Sequence, residues 1–293
     1  MNPVALVFDM ETSDPDDALT LCILATHPRV DLMAVTVTPG SLEQVGIVRH
    51  LLDRLGRSAL PIGAFTGTSN PKNVSEFHHR WLGDIAPTDP TGSGAEILAA
   101  VFRRRPDATM LTGAALKNPG TLLRQHADVR IGTWVAQGGF AGDSVVPPEH
   151  RLAKFAGRET CPTFNFNGAP DLAKEMLASD RIGERWLVSK NVCHGVVYDQ
   201  AMHERVKALT HKTAGMLLVQ EGMEVYLARR AEGKAFHDPL AAAVAIDREV
   251  CAFREVEVYR ERGEWGSRLA EGTRTRISVS IDRERFFRVL TEA

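Results

Sequence analysis

The sequence is poor in cysteine and has none in a pair. Cys22, Cys161, Cys193 and Cys251 are widely spaced in 293 residues, and without a Cys-x-x-Cys spacing they offer neither a zinc knuckle nor a redox dithiol. Cys22 falls within a helical apolar pattern and reads as a buried thiol, so a reducing cytoplasm is the expected compartment. No apolar run approaches the roughly 20 residues of a membrane span, and the N-terminus lacks the basic-then-apolar order of a secretion signal. Excess charge of one sign is also missing. A net charge of −2 gives no electrostatic attraction to nucleic acid or to an anionic membrane. There is no internal repeat, no low-complexity tract, no clear linker, no GxSxG elbow and no Walker loop.

What is present is an alternation of short apolar runs with helical patterns. Val4–Phe8, Leu32–Val37, Leu60–Gly63, Thr109–Leu111 and Thr133–Ala136 read as strands. Asp17–His27, Leu42–Leu55 and Ala95–Arg105 read as helices between them. This βαβα rhythm predicts a single α/β domain over 1–293, a Rossmann-like, mostly parallel sheet flanked by helices, with ligands at the carboxyl ends of its strands. The second half is less regular. Helices are expected at Asp171–Ala178, Gln200–Lys207, Thr210–Ala231 (broken near Gly222), Phe236–Ile246 and Arg283–Leu290. Strands are expected at Glu255–Tyr259 and Thr275–Ile281. The polar segments 66–90 and 143–162 are candidate loops over a site.

The most informative stretch is Asp9-Met-Glu11-Thr-Ser-Asp14-Pro-Asp16-Asp17, between the first strand and the first helix. Five carboxylates in one turn repel one another, and a hard divalent cation with oxygen ligands, Ca²⁺ or Mg²⁺, is the natural compensation. Acids at a helix N-terminus also favour the helix dipole, but Asp9, Glu11 and Asp14 beside Asp16 and Asp17 go beyond that need. Adjacent helical residues point about 100° apart, so one Asp can bind metal while the other faces a bound water. His237-Asp238-Pro239 opens a second helix, where Asp238 either caps it or completes the metal shell, with His237 as a general acid. The loop from Gly113 to Asn118 can offer a backbone carbonyl, and Lys117 can be a solvated loop charge. Thr163-Phe-Asn165-Phe-Asn167 alternates aromatic and amide residues, as would an edge strand or a polyol contact with both Phe in the core. His78-His79 marks a lid or a surface loop, and His194 reads as structural. Gly138-Gly139 permits close backbone approach.

In this order these motifs resemble the inosine-uridine preferring nucleoside hydrolase family, over nearly the whole chain. The resemblance also rests on Ala34–Gly40, Pro61–Gly63, Asn191–His194 and the ending Gly272–Thr275. It implies a tightly bound Ca²⁺, a small nucleoside-like substrate rather than nucleic acid or membrane, and a homodimer or homotetramer. Residue by residue, it implies that Asp16 is the base that activates a Ca²⁺-bound water and His237 the proton donor to the leaving base. Asp17 and Asp238 become metal ligands, with Asp9 in the same set and a carbonyl near Leu116 or Lys117. Asn165 becomes a ribose contact, with Asn167, Ser41, Thr163, His78 and His79 as further substrate-side positions.

The chain also departs from the family pattern. Its acidic turn is one residue longer, so the ligand usually supplied by the second Asp falls to Glu11 or Asp14. Ser41 stands where Asn is usual, Thr163 where Glu is usual, and Lys117 where Thr is usual. An insertion, 144–162, separates Gly138-Gly139 from Phe164-Asn165. The hydrolytic residues are kept while the sugar pocket is altered. The expected reaction is cleavage of a ribonucleoside N-glycosidic bond. The alternatives are a modified nucleoside, a nucleotide or another N-riboside, or a metal-retaining binder without turnover.

Overall fold

The computed structural model describes residues 3–67 and 73–293. From the N-terminus, β1 (Val4–Met10) leads into α1 (Pro15–Thr26) and β2 (Val30–Val37) into α2 (Leu42–Arg54). Then β3 (Ile62–Ala64) leads through α3 (Glu76–Leu82) to the two-residue β4 (Gly92–Ser93) and α4 (Gly94–Arg104). The pattern continues with β5 (Thr109–Thr112), α5 (Lys117–Gln125) and β6 (Ile131–Gln137). The second half holds β7 (Thr160–Cys161), α6 (Phe164–Asn167), α7 (Pro170–Ala178), β8 (Ile182–Val188), α8 (Lys190–Cys193), β9 (Val197–Tyr198) and α9 (Gln200–Lys207). It ends with α10 (Ala214–Leu227), β10 (Lys234–Ala235), α11 (His237–Ile246), β11 (Cys251–Glu261), β12 (Glu264–Leu269), β13 (Thr275–Ile281) and α12 (Arg283–Thr291).

Among the described residues, eleven strands form one sheet in the order β4-β3-β2-β1-β5-β6-β8-β13-β11-β12-β7. From β4 to β13 every pairing is parallel; β11, β12 and β7 extend the sheet antiparallel. The central strand β1 is buried on both faces, as helices on both sides of a parallel sheet require. The molecule is a single α/β domain with a mostly parallel sheet. Among the described residues, no helix is long and apolar enough to cross a membrane.

Two helices lie wholly inside. Every residue of α1 from Pro15 to Ala25, and of α11 from Asp238 to Ile246, is buried. A helix apolar all round belongs in a core, and both pack into the same cluster with Leu6, Phe8 and Leu111 of the sheet. The acidic sequence at the start of each helix is thereby carried into the interior.

Three expectations are corrected. The pattern over 210–231 forms one unbroken helix, Ala214–Leu227, opened by the Thr213 side chain, which accepts the Met216 N–H. Gly222 does not break it; a Cβ there would come within 3.0 Å of Leu19 and Trp81, so the missing side chain seats its neighbours. Residues 164–167 are a helical turn and not a strand, and only one of the two Phe enters the core: Phe166 is buried, while Phe164 is 77% exposed. The segment 66–90 is not all loop, because α3 lies in it; residues 68–72 fall outside the described residues.

Candidate active site

The carboxyl ends of β1, β2 and β5 set the floor. In the sheet register Asp9 lies beside Thr36 and Thr112. Its Oδ1 accepts from Thr36 Oγ1 (2.6 Å) and Asn118 Nδ2 (2.9 Å), while Oδ2 is buried without a partner. Burial outweighs those two bonds and pushes the Asp9 carboxyl up to about 7. Past the strand the chain turns around Glu11, whose carboxylate accepts the backbone N–H groups of Ser13 (2.5 Å) and Asp14 (3.1 Å) and the amide of Asn73 (3.2 Å). Self-capping of this kind lets the longer acidic turn close without a glycine. Glu11 N–H in turn donates to Asp17 Oδ1 at 3.1 Å.

The first turns of α1 and α11 meet above this floor. Oxygens of Asp16, Asp17 and Asp238 lie within 4.8 Å of one another, and all three residues are buried. The N-cap of α11, Phe236, makes no side-chain cap. Asp16 performs that task from the other helix, its Oδ2 accepting the N–H groups of His237 (3.0 Å) and Asp238 (3.2 Å). The ammonium of Lys234, itself 5% exposed, lies 3.0 Å from both Asp16 Oδ1 and Asp14 Oδ1.

These surroundings drive the carboxyls apart. Burial raises Asp16, but Lys234, His237 and the helix N–H groups outweigh it and hold Asp16 below the usual carboxylate range. Asp17 is pushed well above that range by burial and then by Asp238, Glu11 and Asp16. Asp238 is raised likewise, by burial and then by Asp16 and Asp14, and its Oδ1 is buried with no hydrogen-bond partner. Asp14 is pushed up to about 6 by burial and by Asp16. Oxygen-only donors that resist ionisation together, with unsatisfied atoms on Asp9 and Asp238, fit a hard divalent cation. Gly113 leaves room for one: a Cβ there would lie 2.6 Å from Asp238 Oδ1 and 2.9 Å from Asp17 Oδ1.

Above the acids lies a cavity of about 410 Å³, whose lining includes Glu11, Asp14, Asp16, Asp17, Thr163, Asn165, His237 and Asp238. The Asn165 amide nitrogen ties two strand ends together, donating to Gly113 O (2.9 Å), Gln137 O (3.0 Å) and Gln137 Oε1 (2.7 Å). The Nε2 of His237 is buried without a partner, and its ring lies 4.6 Å from that of His194. Burial, opposed by Asp16, lowers the proton affinity of His237.

Other residues singled out from the sequence lie outside this lining. Ser41 caps α2 in a reciprocal capping box with Gln44. Asn167 accepts the Trp265 indole N–H at 2.8 Å. His78 is buried with Nε2 3.0 Å from Thr12 O, and burial lowers it to about 4; His79 is exposed. The Leu116 carbonyl accepts the Gly120 N–H at the start of α5, so the loop residue standing against the carboxylates is Gly113. Sequence reasoning missed Lys234, Gln137 and Lys190. Lys234 lies three residues before His237, within reach of the same helix start. Gln137 is a polar residue ending a strand. Lys190 gave no signal of its own.

The inosine-uridine preferring nucleoside hydrolase model matches residues 6–288. No curated protein matches the chain. Among solved structures, a plant nucleoside hydrolase is 17% identical with a TM-score of 0.74, over 99% of this chain and 98% of the other. A purine-preferring ribonucleoside hydrolase from Gardnerella vaginalis is 18% identical, with a TM-score of 0.70 and coverage of 98% and 96%. The inosine-uridine preferring nucleoside hydrolase from Bacillus anthracis is 15% identical, with a TM-score of 0.72 and coverage of 98% and 97%. At these identities the structural likeness is one of fold.

Proposed function

Because the chain belongs to the inosine-uridine preferring nucleoside hydrolase family and is thereby a nucleoside N-ribohydrolase, we propose that it cleaves a ribosyl C1′–N bond with water in a Ca²⁺-dependent reaction. The observation that carries this reading is the meeting of two buried helix starts, which sets Asp16, Asp17 and Asp238 under a cavity that also holds His237 and Asn165. Asp17 and Asp238 would hold the cation, with Asp9 through its unpartnered Oδ2 and Glu11 as the remaining acids. Glu11 suits this better than Asp14, because its carboxylate accepts only neutral N–H groups whereas Asp14 is paired with the Lys234 ammonium and has a half-exposed side chain. A bound divalent cation polarises water and sugar hydroxyls that reach it.

Asp16 is the proton acceptor. It is the one acid of the cluster shifted below the usual carboxylate range, and Lys234 with the two α11 N–H groups fixes its carboxylate. It takes a proton from the attacking water as the water oxygen bonds to C1′. The C1′–N pair leaves with the base, which receives a proton from the imidazole of His237, giving free base and ribose. Burial lowers the proton affinity of His237, so its imidazolium is the stronger acid toward the leaving nitrogen. The sugar passes through an oxocarbenium-like state, which the neighbouring carboxylates stabilise. All four cysteines are buried free thiols, in keeping with a reducing cytoplasmic setting.

The test is base release from a panel of purine and pyrimidine ribonucleosides, with calcium and after chelation. Calcium-dependent release is expected, and its absence across every N-riboside tried would overturn the reading.

A further inference from the structure

One wall of the cavity is unlike the rest. Lys190 lines it, and Lys154 stands behind it on the 144–162 insertion. Both ammonium groups lie near the ring of Phe155, 5.1 Å from its centroid for Lys154 and 5.9 Å for Lys190. Phe155 packs edge-on against Phe140 and His194, which fixes the insertion to the site. The two lysines have only neutral partners among the described residues. Lys154 Nζ donates to His194 Nδ1 at 2.6 Å, and Lys190 Nζ to Pro162 O at 2.8 Å. Each ammonium has three N–H donors, so donors remain on both. Lys234, by contrast, is matched by two carboxylates. Thr163 follows Pro162 directly, is 3% exposed, and lines the cavity with a buried hydroxyl that has no partner. Besides burial, the groups that lower the proton affinity of His194 are cationic: His237, Lys154, Lys190 and Lys234.

The Lys190 ammonium and the orphaned Thr163 hydroxyl on the wall, with the Lys154 ammonium behind them, form an acceptor-seeking set, which a phosphate or carboxylate satisfies. We propose that Lys154, Lys190 and Thr163 form an anion subsite, and that the N-riboside this enzyme hydrolyses carries a phosphate or carboxylate seated there. The inference rests on the N-riboside reading above. It also accounts for Thr163: a carboxylate in its place would repel the anion.

The test separates the two levels. Calorimetry with the calcium-loaded full chain compares ribose 5-phosphate with ribose, and orotate with uracil. At least one anionic probe is expected to bind tenfold or more tighter than its neutral partner. A preference for ribose 5-phosphate puts the charge on the sugar; a preference for orotate puts it on the base. In the Lys154→Gln/Lys190→Gln double variant that preference should fall at least tenfold. Equal binding of each pair overturns the subsite, as does a preference that survives in the double variant, which would belong to the metal. Base release from uridine, uridine 5′-monophosphate and orotidine is measured in parallel. Failure of these three and of the whole purine and pyrimidine panel to react removes the hydrolase reading while the binding result still judges the subsite.

Discussion

The cavity has two walls made by different means. The acidic wall comes from the first turns of two fully buried helices, and its carboxylates are held by strand-end side chains, helix N–H groups and an interior lysine. The cationic wall comes from an exposed insertion and a short helix, and its lysines rest on a ring, a carbonyl and an imidazole. The first is part of the core and cannot vary without disturbing the fold. The second is attached to the core through Phe155 and is free to change with the substrate. The proposed chemistry and the proposed selectivity thus fall on structures of unequal burial, as expected when a rigid scaffold carries variable loops.

Substitutions should separate the two walls. Asp16→Asn keeps an acceptor for the α11 N–H groups but removes the base; base release should fall by about 10³-fold or more, with the circular dichroism spectrum retained. Near-normal turnover would take Asp16 out of the chemistry. Lys234→Met leaves Asp16 buried without its ion-pair partner, a change that costs about 3–5 kcal/mol and is read by denaturant unfolding; an unchanged midpoint would show that the ion pair does not hold the acidic wall.

Metal removal tests the acidic wall through pH. Asp9, near 7, and Asp14, near 6, have folded pKa values above those of the unfolded chain, and Glu11, Asp17 and Asp238 shift the same way. Raised carboxyls contribute stability that is full below the unfolded values near 4 and is lost as pH rises through about 7. Asp16, shifted down, works in the opposite sense and keeps its contribution above about 4. The chelated protein should therefore lose Tm between pH 5 and pH 8, and calcium should restore more at pH 8 than at pH 5. A calcium effect independent of pH would argue against these acids as its ligands. The smallest effect belongs to the other wall: Lys154→Gln should move stability by no more than about 0.5 kcal/mol, and a larger loss would make the insertion part of the folding core.

The sheet was legible because a parallel α/β sheet writes itself into sequence as apolar runs at intervals, and β1, β2, β5 and β6 all lie where those runs fall. The two helix starts were legible because Asp-Asp and His-Asp-Pro are local signals. What could not be read is non-local. Nothing near Asp16 announces that it caps a helix 221 residues away in sequence. Lys234 is identified as its partner only by the fold. The Phe164–Asn167 segment read equally as an edge strand or a polyol contact because alternation was the only cue; the Asn165 bonds to Gly113 and Gln137, and the Trp265 bond to Asn167, are made from a helical turn instead. Gly222 looked like a break because a helix exposed to water would fray there, whereas this one is packed on Leu19 and Trp81.

The bonds from Asp16 to the α11 backbone have a consequence for how this protein can evolve. In the proposed mechanism one carboxylate both finishes the architecture and drives turnover, so a descendant that abandoned catalysis could not simply discard it. Retention of an acid at this position in a relative would therefore say little about whether that relative is still active.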